Sequence, residues 1–514
     1  MSALAHLKEP VISRRICEIL PTRELIEVRG DPNTEVRGVT NHSKKVEKGC
    51  VFVAVPGTRE DGAAYAQEAC HRGAAVVVAE SPLGVNAVEV IVKNARRAQA
   101  LMAEAFYNYP SSRLVMAGIT GTNGKSSTAV LLKAMLDAGG VTSGLLGTIF
   151  YDVVAERRDA PLTTPDSIEL RRLLAEMRHH GATHCVMEVS SHAIALDRVY
   201  GVNFAAAVFT SFSGKEHTDF HGSDEAYLEQ KMRLFESLGR DSCAVLNWDD
   251  PTVRGAEQRT TAGRKLRYGF SPDADVRVLR RQCSLDGTVI ELMLPGGERV
   301  EIRSRLLGGF VAYNVAAAAA AAIAFGLPLE VIKRGAESVA CVPGRMERVT
   351  TTEPFTVLVD FAHNCGALET VMRTLREDLR VKRLIAVFGC GGDRDPRKRA
   401  PMGRVAERYA DFTILTADNS RTEPTEGILK QIASGFEDPS HYEIEPDRRT
   451  AICRAVNLAA EVEDTVVLLA GKGHESYHLI GGQRLIFDDR VVAREAVGSW
   501  RLEHERRRNV DRGR

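Results

Sequence analysis

At 514 residues, with 44% hydrophobic and 26% charged residues, the chain is too long for one core and reads as a globular protein of about three to four units. Lys+Arg and Asp+Glu both number 68, which excludes a global field for nucleic acid or anionic membrane, so an anionic ligand needs local devices. Ten scattered cysteines without a CxxC pair exclude a disulfide framework and a zinc site, and fit a reducing cytosol.

The opening MSALAHLKEPVISRR lacks the apolar stretch of a signal peptide. Next, CVFVAVPG (50–57) and AAVVVAE (74–80) predict buried strands around an amphipathic helix at 63–72. Tyr109-Pro110-Ser111-Ser112 marks a boundary, because proline breaks helix. A second stretch opens on the strand LVMAGIT (114–120) and includes HCVMEVS (184–190) and AAAVFTS (205–211). Its most apolar run, 316–324, falls far short of the roughly 20 residues of a membrane span and predicts a buried helix packed through small side chains. Pro343-Gly344 ends this stretch. The third has strands at TVLVDFA (356–362), RLIAVFG (383–389), FTILTAD (412–418) and TVVLLAG (465–471), then a charged tail expected to fray. Short β-branched runs alternating with helices predict parallel α/β units throughout.

The strongest chemical signal is Gly121-Thr122-Asn123-Gly124-Lys125-Ser126-Ser127, between a buried strand and a helix at 128–137. Glycines let backbone N–H groups curl around a phosphate, and the helix N-terminus adds positive potential. Lys125 supplies a point charge and Ser126 a hydroxyl for Mg²⁺, although Ile119 stands where a strict Walker loop has glycine. Glu188, at the end of a strand, and the cluster KEHTDFHG (215–222) offer further ligands for a hard cation. In the third stretch GCGGDRDPRKR (389–399), ADNSR (417–421) and AGKGHE (470–475) each follow a strand, and together they predict a substrate crevice.

In this order the motifs resemble the Mur ligase superfamily and, within it, the MurE type, which adds the third residue of the peptidoglycan stem to a UDP-N-acetylmuramoyl-dipeptide. The stretch GVTNHSKKVEKGCVFVAVPGTREDG is similar to the family's uridine-nucleotide domain, which folylpolyglutamate synthetases lack. The resemblance implies an α/β fold in three domains: a UDP-precursor-binding domain (1–111), a central P-loop ATPase on a mainly parallel sheet (112–343), and a Rossmann-like amino-acid-binding domain (344–514).

It further implies that Ser43, Thr163, Thr164, Ser190 and Arg198 contact the UDP-muramoyl substrate. Residues 121–127 with Asn314, Arg345 and Asp360 would surround ATP. Ser126, Glu188, His217 and a carbamylated Lys231 would hold Mg²⁺, making Lys125, Glu188, His217 and Lys231 the catalytic set. Arg394, Asp418, Asn419, Arg421, Gly471 and Glu475 would meet the incoming amino acid. That amino acid is expected to be meso-diaminopimelate, since the Arg421 fork suits a distal carboxylate and repels the ammonium of L-lysine. The expected cofactors are ATP, Mg²⁺ and a CO₂-derived carbamate. The expected setting is a cytoplasmic monomer without nucleic acid or membrane insertion.

Ser211, Leu196, Asn364 and Ser420 depart from the family pattern, which leaves room for a paralogue acting on another carboxylate scaffold. A non-catalytic relative that binds the UDP-precursor, and a P-loop phosphatase or motor, are the alternatives of other classes. The first has no use for Lys125, Ser126, Glu188, His217 and Lys231. The second lacks a strict Walker loop here.

Overall fold

The computed structural model describes residues 12–57, 60–214, 218–350 and 352–512. The chain forms two compact units, the first built mainly from residues 1–277 with 314–335, the second mainly from 336–514 with 278–292 and 299–313.

Besides the short pair Arg14–Arg15 with Glu35–Val36, the first unit carries two larger sheets. The smaller runs Leu25–Arg29, Val88–Val92, Val76–Ala79, Cys50–Val53, Gly38–Thr40; its first pairing is antiparallel and the rest are parallel. Val51, Val53, Val76, Val78 and Val90 line its core against the helix Ala95–Phe106, capped by the Asn94 side chain. The larger sheet has eleven strands, the first eight of which run Arg157–Asp159, Phe150–Asp152, Ser143–Leu146, His184–Glu188, Val115–Thr120, Phe204–Phe209, Cys243–Asn247, Arg264–Gly269. Among these eight strands only the two pairings at the Arg157 edge are antiparallel. Val115–Thr120 therefore lies between the strand ending in Glu188 and the strand ending before Thr210. Carboxyl ends of neighbouring parallel strands form one rim, where such sheets bind ligands.

In the second unit the order is Glu347–Arg348, Thr356–Asp360, Thr465–Ala470, Arg383–Phe388, Phe412–Leu415, Tyr442–Ile444, parallel after an antiparallel first pair. Its four inner strands are buried on both faces, as their unbroken apolar runs require. The loops after 360, 388, 415 and 470 thus share one rim.

The helix Phe310–Ala324 forms over the Ala-rich run, with Ala316–Ala322 fully buried. The tail departs from expectation: Asp489–Arg512 is one helix rather than a frayed end. Its early turns bury Val492, Ala493, Ala496 and Val497, and Trp500 meets the Phe355 ring edge-on at 5.0 Å. Arg501 pairs with the Glu353 carboxylate. Among the described residues no helix is long and apolar enough to cross a membrane.

Candidate active site

The helix after Val115–Thr120 begins at Lys125, three residues earlier than the sequence pattern predicts, because Gly124 caps it in the left-handed conformation (φ +86°). Glycine is obligatory at 121 as well: φ is +146°, and a Cβ there would lie 2.0 Å from Thr210 Oγ1. At Gly124 a Cβ would lie 2.7 Å from Asn314 Oδ1, so another residue there would have to displace that amide and adopt the left-handed φ.

The loop is braced from the neighbouring strand end. Ser211 accepts from Asn123 N–H through Oγ (3.1 Å) and from Thr122 N–H through its carbonyl (2.8 Å). Thr210 Oγ1 donates to Asn123 O at 2.5 Å. The departure at Ser211 therefore supports the loop. Lys125 is half-buried in the first helical turn and donates to Gly121 O and Thr122 O, both at 2.9 Å. Ser126 and Ser127 are buried in the same turn.

Glu188 is 1% exposed. Its Oε1 accepts from Thr148 N–H at 2.8 Å and its Oε2 from the Thr148 hydroxyl at 3.0 Å, which fixes the plane of the carboxylate. The same hydroxyl lies 3.1 Å from Thr163 Oγ1. Thr164 Oγ1 donates to Glu188 O at 2.8 Å and accepts from Ser190 N–H at 3.1 Å, and Arg198 Nη1 reaches Thr164 O at 2.9 Å. Burial lowers the Arg198 pKa, against the pull of Asp166. Thr163, Thr164, Ser190 and Arg198 thus gather around Glu188. Ser43 follows the strand Gly38–Thr40 of the smaller sheet, buried at the start of the turn Ser43–Lys45, and its hydroxyl helps hold the Glu68 carboxyl below its ordinary value.

Lys231 extends from the helix Asp224–Glu236, capped by Ser223, and is 1% exposed. Its Nζ donates to Gly121 O at 2.9 Å and stands 4.5 Å from the centre of the Tyr227 ring. His217 lies outside the described residues.

In the second unit Asp360, buried at its strand end, accepts from Met346 N–H and Ala362 N–H at 2.8 Å each. Burial pushes its pKa up, and the nearby Arg345, whose guanidinium lies over the Phe361 ring, opposes that. Gly471 N–H donates to Asp360 O at 3.1 Å. Asn364 caps the helix Cys365–Arg373 through Ala367 N–H, so this departure is a helix start.

Asp418, Asn419 and Ser420 are buried together. Burial raises the Asp418 pKa, but Arg448 and Lys472 outweigh it and hold the carboxyl below its ordinary value. Asn419 Nδ2 donates to Glu475 Oε2 at 2.8 Å. Arg421 adopts φ +54°, pinned by its N–H to Leu479 O at 2.9 Å. Its Nη1 bonds Gly392 O (2.7 Å) and Asn419 O (3.3 Å), which leaves the Nε–Nη2 edge outside these contacts. Arg394 is exposed on the adjoining loop, which Arg399 ties to Glu423 by a bidentate pair. Sequence reasoning overlooked Thr148, which aims Glu188, and Lys472, which is fully buried.

Residues 35–110, 119–322 and 344–473 match, in turn, the family models described as Mur ligase family, catalytic domain; Mur ligase middle domain; and Mur ligase, glutamate ligase domain. A UDP-N-acetylmuramoyl-L-alanyl-D-glutamate–2,6-diaminopimelate ligase of Solibacter usitatus (strain Ellin6076) is 42% identical over 473 residues, spanning 91% of this chain and 94% of that protein. The chain belongs to the Mur ligase family. The ligase of the same name from Geobacillus kaustophilus (strain HTA426) is 41% identical over 90% of this chain and 95% of its own length. A solved structure of a 2,6-diaminopimelate ligase superposes with TM-score 0.69 at 32% identity, covering 95% of this chain and 99% of that one. Mur ligase architecture thus accounts for both rims.

Proposed function

We propose that this Mur ligase joins the terminal carboxylate of UDP-N-acetylmuramoyl-L-alanyl-D-glutamate to an amino group of meso-diaminopimelate at the expense of ATP, as a cytoplasmic step of peptidoglycan precursor synthesis. The observation that carries the reading is the braced 121–124 loop with Lys125 beside a buried, pre-aimed Glu188, in a chain that matches 2,6-diaminopimelate ligases along nearly its whole length. The division at 111/112 and 343/344 follows from it, with one domain each for precursor, ATP and amino acid.

A carboxylate is a poor acyl donor. Its oxygen attacks the γ-phosphorus of ATP, an acyl phosphate forms and ADP leaves. The amine then attacks the acyl carbon, loses a proton, and the tetrahedral intermediate expels phosphate. The Lys125 ammonium and the N-terminus of the helix it opens stabilise the charge spread over the transferred phosphoryl oxygens. Mg²⁺, when bound, supplies further neutralisation there. The oxygen donors Ser126 and Glu188 suit such a hard ion, with His217 and Lys231 as the remaining ligands of our reading. An unmodified ammonium cannot ligate a cation. Addition of CO₂ to the Lys231 amine, with loss of a proton, gives a carboxylate, and the near-complete burial of this lysine beside Gly121 supports that assignment.

Mass spectrometry of the products tests the reading. Incubation with the UDP-dipeptide, ATP and diaminopimelate is expected to yield one ADP and one new amide per turnover. ADP release that needs no UDP-precursor would refute it.

A further inference from the structure

Lys472 is fully buried, yet the mechanism above makes no use of it. Its Nζ lies 3.4 Å from Asn419 Oδ1 and 3.7 Å from Glu475 Oε2, and donates to Tyr477 O. Asn419 Oδ1 also accepts from Leu479 N–H at 2.9 Å, so the amide has one orientation, with its Nδ2 toward Glu475. The other carboxylate oxygen, Oε1, accepts from the Tyr477 hydroxyl at 3.2 Å. Arg448 pairs with Asp489 through two bonds of 2.6 and 2.8 Å, both side chains fully buried, and also holds Ala417 O and Ala470 O. The strand ends that carry Asp418 and Gly471 are thereby fixed to each other.

Asp418, Glu475 and Asp489 face two cations, Lys472 and Arg448, so the cluster retains one negative charge. Such a surplus suits an ammonium ligand, and Glu475, less buried than its neighbours, is the member able to reach one.

We propose that Lys472 is a positioning residue for the incoming amino acid: it locks the Asn419 amide and the Glu475 carboxylate in the arrangement that receives the substrate's ammonium. The inference rests on the functional reading above, and deepens its amino-acid site.

The test is steady-state kinetics of the full chain with UDP-N-acetylmuramoyl-dipeptide, ATP and meso-diaminopimelate. Lys472→Met is expected to raise the KM for diaminopimelate about 30-fold, the loss of a charge-assisted contact, while the KM values for ATP and the UDP-precursor stay within about twofold. Lys472→Gln, which keeps a donor for Asn419 Oδ1 and Tyr477 O, should fall between Lys472→Met and the wild type. An unchanged diaminopimelate KM in either folded variant overturns the inference, as does an equal rise in all three KM values. Should Lys472→Met fail to fold, Lys472→Gln decides alone. Wild-type protein that does not use diaminopimelate overturns the functional reading itself, a result separate from the variant comparison.

Discussion

The ammonium of Lys231 donates to the carbonyl oxygen of Gly121 at 2.9 Å, joining the helix Asp224–Glu236 to the loop that turns Val115–Thr120 into its helix. Addition of CO₂ would set a carboxylate at this point. Lys231→Ala is expected to lose at least about 99% of turnover and to regain part of it with short carboxylic acids, which fill the vacated space and restore the oxygen ligands. Intact-protein mass should show the extra carboxylate in the wild type only. A fully active Lys231→Ala enzyme would reduce this lysine to a structural tie.

Lys125→Ala should abolish ADP release while leaving the fold intact. The ammonium holds two carbonyl oxygens of its own loop, whose shape is set independently by Gly121, Gly124 and the Ser211 bonds. Tm is expected to stay within about 3 °C of the wild type. Wild-type turnover in a folded variant would remove the loop from the chemistry.

His478 provides a pH signature. Burial, reinforced by Lys472 and Arg448, lowers its pKa to about 4, and the ring bonds Asp418 O at 2.8 Å. Unfolded, the ring binds a proton near pH 6.5, so the unfolded state holds more protons between about pH 6.5 and 4. The stability associated with the neutral ring is complete above that window and is lost as pH falls through it, by a total on the order of 3 kcal/mol. His478→Gln should flatten that part of the urea-denaturation profile between pH 7 and 4. Identical profiles for the two proteins would refute the assignment.

How much of this was legible beforehand depended on whether a feature is local. The phosphate loop was, because strand, glycines, lysine and helix follow one another in the chain. The rim was not: Glu188 and Thr210 flank that loop through pairings with residues about 70 to 90 positions away, and no periodicity reports strand order. Lys472 was hidden for a similar reason. A lysine between glycines reads as a solvated turn, yet Asn419 and Tyr477 close over it. Ser420, one of the departures from the family pattern, is 1% exposed and the next residue is pinned to Leu479 O. Its fixed backbone comes from tertiary contacts rather than from a ring.

Arg421 gives a prediction about discrimination. One guanidinium nitrogen is anchored to Gly392 O and Asn419 O, which aims the opposite edge as a fork. Arg421→Ala should reduce kcat/KM for diaminopimelate by at least about 100-fold, with much smaller changes in the KM values for ATP and the UDP-precursor. Equal losses toward all three substrates would make Arg421 a structural residue.

The most direct measurement is the wild-type ratio of kcat/KM for meso-diaminopimelate to that for L-lysine, with saturating ATP and UDP-N-acetylmuramoyl-L-alanyl-D-glutamate. A distal carboxylate gains the Arg421 fork, whereas a distal ammonium is repelled, so the ratio is expected to exceed about 100. A ratio near one, or a preference for lysine, would contradict the account.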